Sequence, residues 1–284
     1  MTGIVQFERG QGGLPCARIR TRHAHALVYL HGAHVTQYIV GGSDLLFVSE
    51  RSHFEPGTPI RGGVPICFPW FGPKAGDPSA PIHGLARTRT FAVESVAARD
   101  DDVEIVLRLR PDEPISGDWP VGVTLRHRIS IGRALQMSLE VENAGNETFR
   151  FEEALHTYLA VQDIRQTEVL GLDKTDYLDK TDQMQRKTQQ GPVRFTAETD
   201  RVYLDTPATT IVRDGSRSIQ IAKENSAATV VWNPWIAKAA ALPDFGDEEW
   251  QRMVCVETAN CGPHAIELPA GQSHTMTARI SLQP

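Results

Sequence analysis

Period-two alternation of apolar and polar residues recurs along the chain and predicts strands. In 121–131, Val121, Val123, Leu125, Ile129 and Ile131 share one face with His127, while Gly122, Thr124, Arg126, Arg128 and Ser130 take the other. Leu135, Met137, Leu139 and Val141 repeat the pattern, and the short connection 131–134 between the two runs predicts a hairpin. Asn143-Ala-Gly-Asn146 reads as a turn, and 149–161 resumes extended structure. Segments 103–109, 218–222, 228–232, 253–256 and 274–282 are further strand candidates. Helical signal is scarce. One turn or short helix is predicted within 243–251, and the polar stretch 173–191 reads as a long surface loop. Many short strands with turns between them predict an all-β, antiparallel sandwich, one domain over 1–284.

Composition narrows the function classes. The chain has 284 residues, a formal net charge of −6 and a pI near 5.9, which argues against a general nucleic-acid binder. A small anionic substrate remains open, because a few arginines can dominate a pocket. Cys16, Cys67, Cys255 and Cys261 form no CxxC pair, so free thiols and a reducing cytoplasm are expected. The first residues lack the apolar core of a signal peptide, and no apolar run approaches the roughly 18 residues of a membrane span.

The chemistry-bearing residues fall into a few segments. Ala-Leu-His156-Thr-Tyr and Val-Cys-Val-Glu257-Thr lie on two separate predicted strands. A histidine and a carboxylate facing one pocket can protonate one substrate oxygen while deprotonating another, as opening and re-closing a sugar ring requires. His156 falls with Arg150, Glu152, Ala154 and Tyr158, opposite Phe149, Phe151, Leu155 and Leu159. Its usual pKa range suits proton transfer near neutrality, though a lone histidine is more often structural. Glu257 reads as a strand-end carboxylate at the edge of a core, where partial desolvation would make it a better base.

The run 58–87 is dense in Pro, Gly and aromatics, and a stiff loop of that kind can place Arg61 on a binding rim. His83-Gly-Leu-Ala-Arg87 reads as a turn presenting both polar side chains. Arginine offers a planar fork suited to phosphate oxygens, so Arg61 and Arg87 suggest that the sugar carries an anion. Asp200 either accepts sugar hydroxyls or caps a turn; Trp70, Phe71 and Trp235 are open as pocket walls or core plugs. His23 and His25 alternate as metal ligands could, but no third ligand is evident.

Together, Pro-Ile-Arg61-Gly-Gly-Val-Pro-Ile-Cys-Phe-Pro, His83-Gly-Leu-Ala-Arg87, Ala-Leu-His156-Thr-Tyr, Asp200-Arg-Val-Tyr, Val-Trp-Asn-Pro-Trp235 and Val-Cys-Val-Glu257 occur in this order. From about Leu30 onward the chain closely resembles the glucose-6-phosphate 1-epimerases (hexose-6-phosphate mutarotases), a branch of the aldose 1-epimerase superfamily. The resemblance implies a galactose-mutarotase-like sandwich and an isomerase that interconverts the anomers of a hexose 6-phosphate, with glucose 6-phosphate expected. It implies His156 as general acid and Glu257 as general base. Arg61 and Arg87 would bind substrate and phosphate, and His83 and Asp200 its hydroxyls. No metal or organic cofactor is implied, and no nucleic-acid or membrane partner; a monomer is expected. Ala237 stands where many members of that family carry an acidic residue before the lysine, here Lys238. Readings from other classes are an aldose 1-epimerase for neutral hexoses and a non-catalytic sugar-phosphate binder.

Overall fold

The computed structural model describes residues 3–283 apart from 100, 112–114, 116, 117 and 216. Its described strands pair antiparallel into stacked sheets, the expected all-β sandwich. A nine-stranded sheet contains the expected hairpin, Val123–Ile131 against Ala134–Asn143, with Leu135 opposite Ile131 and Asn143 opposite Val123. An eight-stranded sheet runs from Gln185–Thr188 at one edge through Asp176–Asp179, Thr199–Tyr203, Ala228–Asn233, Met253–Asn260 and Glu153–Leu155 to Ile66–Cys67, and its eighth strand, Tyr158–Ala160, also pairs with Met253–Asn260. A five-stranded sheet formed by the N-terminal strands Ile4–Arg9 to Ser43–Asp44 completes the larger layers. One continuous core joins them, including Ile129, Met137, Leu139 and Ile280 from the nine-stranded sheet and Leu155, Leu159, Val254 and Val256 from the eight-stranded one.

The other face of the eight-stranded sheet carries a second, smaller cluster. Cys67, Ala154, Ala228, Val230 and Ala259 lie there, with Phe71 packed against them. The three alanines form a row across adjacent strands, since Ala154 and Ala228 both pair with Ala259. Side chains this short let the aromatic turn containing Phe71 settle close to the sheet.

Several expectations are corrected. Val121 is exposed and precedes the strand, which begins at Val123 after Gly122 turns the chain at φ +95°. Segment 149–161 is three short strands, broken at Glu152 and at His156–Thr157. Both faces of its second half are covered, so Ala154 and Tyr158 are as buried as Leu155 and Leu159. Residues 173–191 are no loop; Asp176–Asp179 and Gln185–Thr188 form an edge hairpin, joined by a turn of 3-10 helix over Lys180–Asp182. The one α-helix among the described residues is Trp235–Ala241, earlier than predicted, while 243–251 holds the start of a 3-10 turn, Glu249–Arg252.

Candidate active site

Strand register builds the central pair. Leu155 pairs with Thr258, and Tyr158 with Cys255, on the same neighbouring strand. The register therefore runs unshifted through the break, and His156 stands opposite Glu257. Residues opposite one another on antiparallel strands project from the same face. Glu257 sits in the middle of Met253–Asn260, not at a strand end, and every residue of that strand is buried. His156 Nε2 lies 3.5 Å from Glu257 Oε1. That separation is too long for a strong hydrogen bond. His156 Nδ1 and Glu257 Oε2 find no hydrogen-bond partner among the described residues.

Burial decides how the pair holds protons. It pushes the His156 imidazole well below the usual histidine range, with Arg61, Arg87 and Lys180 adding to the effect. It pushes the Glu257 carboxyl well above the usual range; Lys180 opposes that shift and Asp200 adds to it. Moving an isolated charge from water into such a place costs several kcal/mol or more. A doubly protonated pair and a doubly deprotonated pair each leave one net charge there. Burial therefore favours the net-neutral forms of the pair, in which the carboxyl and the imidazole share one proton.

His83 covers the pair. Its ring meets the His156 ring edge-on, centroids 5.4 Å apart, and the Phe71 ring at 4.9 Å. The Gly72 amide donates to His83 Nδ1 over 3.1 Å, and Cys67 Sγ lies 3.3 Å from the same atom. An accepting Nδ1 leaves the proton of the neutral ring on Nε2, a donor for a substrate hydroxyl. Burial keeps His83 neutral by lowering its pKa, and His156 and Arg87 add to the effect. The turn is fixed from below, where Glu152 accepts from the amides of Phe71 at 2.9 Å and Gly262 at 2.8 Å. Trp70 belongs to its far side, with Nε1 donating to Pro81 O over 2.8 Å.

The two arginines differ in their compensation. Arg61 pairs with Asp244 at 3.1 Å, and its Nη1 donates to Tyr158 over 3.2 Å. Tyr158 stacks on His156 with centroids 4.8 Å apart, so Arg61 is tied to the pair through one ring. Burial opposes the Arg61 cation, but Tyr158 and Asp244 outweigh it and raise its pKa. Gly62 and Gly63 behind it adopt φ of +114° and +61°, and a Cβ on Gly63 would meet Val35 O at 2.3 Å. Glycine is required there. Arg87 donates from Nη2 to Ile82 O, its Nε is buried without a partner, and no carboxylate pairs with it among the described residues. Unlike Arg61, it forms no ion pair with a carboxylate among the described residues, and Asp244 acts on it only at longer range.

Asp200 lies within the Thr199–Tyr203 strand, opposite Trp232, and its Oδ2 meets Lys180 Nζ at 3.0 Å. Trp232 meets the His156 ring edge-on at 6.0 Å. Trp235 packs on Trp250 at 4.3 Å as a core plug, and Lys238 pairs with Glu198 at 2.7 Å on the rim. All six sequence candidates thus gather around the His156–Glu257 pair. Lys180, Tyr158 and Asp244 join them without having been singled out. A cavity of about 720 Å³ lies beyond the Trp70–Phe71 wall, lined by Lys74, Asn146 and Arg150 among others, and does not contain the pair.

This fold matches that of a solved structure described, on provisional grounds, as a mutarotase. The aldose 1-epimerase family model matches residues 15–281, and the chain belongs to that family. It is an isomerase of the epimerase class. A relative from Cenchrus ciliaris, provisionally named glucose-6-phosphate 1-epimerase, is 36% identical over 263 residues, 87% of this chain and 77% of its own. A Salmonella typhimurium relative with the same provisional name is 34% identical over 233 residues, 81% of this chain and 77% of its own. A crystal structure from Salmonella typhimurium, described as a mutarotase on provisional grounds, superposes with a TM-score of 0.91 at 29% identity, covering 98% of this chain and 93% of that one.

Proposed function

We propose that the protein interconverts the α and β anomers of a hexose 6-phosphate, glucose 6-phosphate foremost, with His156 and Glu257 moving the protons. The observation that carries this reading is a buried His–Glu pair 3.5 Å apart, beside an arginine that pairs with no carboxylate among the described residues. Ring opening starts from protonated His156 and ionised Glu257. His156 gives its proton to the ring oxygen as the C1–O5 bond breaks, and Glu257 takes the proton of the C1 hydroxyl as the carbonyl forms. The open aldehyde then faces neutral His156 and protonated Glu257. Rotation about C1–C2 presents the other face of the carbonyl. Re-closure returns one proton to the new C1 hydroxyl from Glu257 and the other from O5 to His156. The pair ends as it began, so neither group needs to exchange with solvent during turnover.

Mutarotation is already feasible in water, and a positioned acid and base each contribute about 10²–10⁴-fold. Arg87, with Arg61 beside it, is the proposed phosphate anchor, while His83 and Asp200 hold hydroxyls. The phosphate also has an electrostatic role. Its charge offsets the cations that hold His156 deprotonated and so favours the starting state for ring opening. The provisional names of the relatives support glucose 6-phosphate as substrate. Anomer exchange measured by NMR on glucose 6-phosphate, glucose and galactose tests the proposal. Acceleration confined to, or strongest for, the phosphorylated sugar is expected; acceleration of neutral hexoses alone would overturn the phosphate assignment.

A further inference from the structure

Lys180 belongs to no motif of the sequence reading, yet the fold delivers it into the cleft. Asp179 pairs with Arg201 across the strands, which brings the next residue level with Asp200. The Asp179 carboxylate caps the following turn, accepting from Thr181 N at 3.1 Å, while Lys187 holds its other oxygen at 2.8 Å. The side chain of Lys180 leaves this turn toward the sheet face, 29% exposed, against 61% for Arg186 on the outer strand of the same hairpin. Its Nζ reaches Asp200 Oδ2 at 3.0 Å and lies 5.4 Å over the Phe71 ring.

We propose that Lys180 is a positioning residue for the base: its ammonium group, clamped between Asp200 and Phe71, faces Glu257 and stabilises that carboxylate in the ionised form that ring opening needs. The inference rests on the epimerase reading above and deepens it. Asp200 pairs with Trp232 and Trp232 with Cys255, two residues from Glu257, so Asp200 and the ammonium group it holds lie on the sheet face that carries Glu257 and His156. The thiols Cys67, Cys255 and Cys261 stay protonated because burial raises each of them. Lys180 is the cation that bears on Glu257, and it acts on His156 together with Arg61 and Arg87, so it opposes a second proton on either member of the pair. A division of labour follows. The arginines read the phosphate, and the lysine tunes the base whatever the substrate carries at C6.

The test is the pH dependence of kcat and kcat/KM between pH 5 and 9 for wild type, Lys180→Met, Lys180→Gln and Lys180→Arg, on glucose 6-phosphate and on glucose. The substrate's own phosphate titrates near pH 6, equally for all four proteins. The acid limb marks uptake of a second proton by the His156–Glu257 pair. In Met and Gln variants it is expected to move up by about one pH unit, with a loss in kcat that grows to about tenfold on the acid side of the limb for both sugars. Lys180→Arg should keep the wild-type limb. Two neutral variants guard against one failing to fold. An unchanged acid limb in the neutral variants, or a loss confined to the phosphorylated sugar, would overturn the inference. No exchange by the wild type would overturn the epimerase reading itself, a result separable from any effect of the substitutions.

Discussion

His156 and Glu257 stand directly opposite one another on adjacent antiparallel strands, with Nε2 and Oε1 3.5 Å apart. A hundred residues of chain separate them, yet one ladder register places both on the same face of one sheet. The gap is wide enough to leave both groups available to a substrate and close enough to couple their protonation.

Arg87 forms no ion pair with a carboxylate among the described residues, so its removal should act through the phosphate. Each charge-assisted hydrogen bond contributes about 1.5–3 kcal/mol, so Arg87→Ala is expected to raise KM for glucose 6-phosphate by about 10–100-fold. Exchange of free glucose should change by less than about threefold. Equal losses on both sugars in steady-state exchange measurements would contradict phosphate recognition by Arg87.

Acid should destabilise the fold through two buried imidazoles. His34 donates from Nε2 to Gly62 O at 2.7 Å, directly behind Arg61, and burial lowers its pKa from 6.5 to about 3. Burial likewise lowers His127 to about 4. The unfolded chain takes up these protons near pH 6.5, the folded chain only near 3 and 4. Their contribution is complete above pH 6.5 and is lost as pH falls, roughly 3 kcal/mol each by pH 4. Histidine ring NMR should find both imidazoles neutral at pH 5, and urea midpoints should fall on acidification. Titration of both rings near pH 6.5 would contradict this.

Much of the architecture was legible because one-sided strands alternate. The 123–131 and 134–143 hairpin is such a case: its inward apolar residues are all buried, with Thr124 and Ser138 of the other face buried besides. The edge hairpin around Lys180 was not legible. Gln185–Thr188 is solvated on both faces, so it carries no period-two contrast, and its polar residues mimic a loop. With that hairpin missed, Lys180 had no frame to place it. The helix at Trp235–Ala241 had a signal in its alanine-rich run, Ala-Lys-Ala-Ala-Ala, since alanine has the best helix propensity. Only two turns long, it offers little apolar periodicity. Asp244, the partner of Arg61, follows that helix and was lost with it. Glu257 was read at a strand end because the apolar run stops at Val256, but Thr258 and Asn260 continue the ladder as buried polar residues.

Asn233 supports this corner of the site. Its side-chain amide donates to Trp250 O at 2.8 Å and Met253 O at 2.9 Å, and its oxygen accepts from Trp235 N at 2.9 Å. Trp235 holds a left-handed φ of +56° at the start of the helix. Asn233→Ala would strand two buried carbonyls and an amide, a cost of roughly 2–4 kcal/mol. Denaturant unfolding should show that loss. A variant within about 0.5 kcal/mol of wild type would show that the three hydrogen bonds are not needed to hold the helix.

The most direct measurement is NMR exchange between the anomers of glucose 6-phosphate, run with wild type, Glu257→Gln and His156→Ala, each first verified as folded by circular dichroism. Glu257→Gln is close to isosteric with the native side chain but cannot take a proton. Wild type is predicted to accelerate exchange, and each variant to lose at least about a hundredfold. Near-wild-type exchange in either folded variant would contradict the claim that this pair carries both proton transfers.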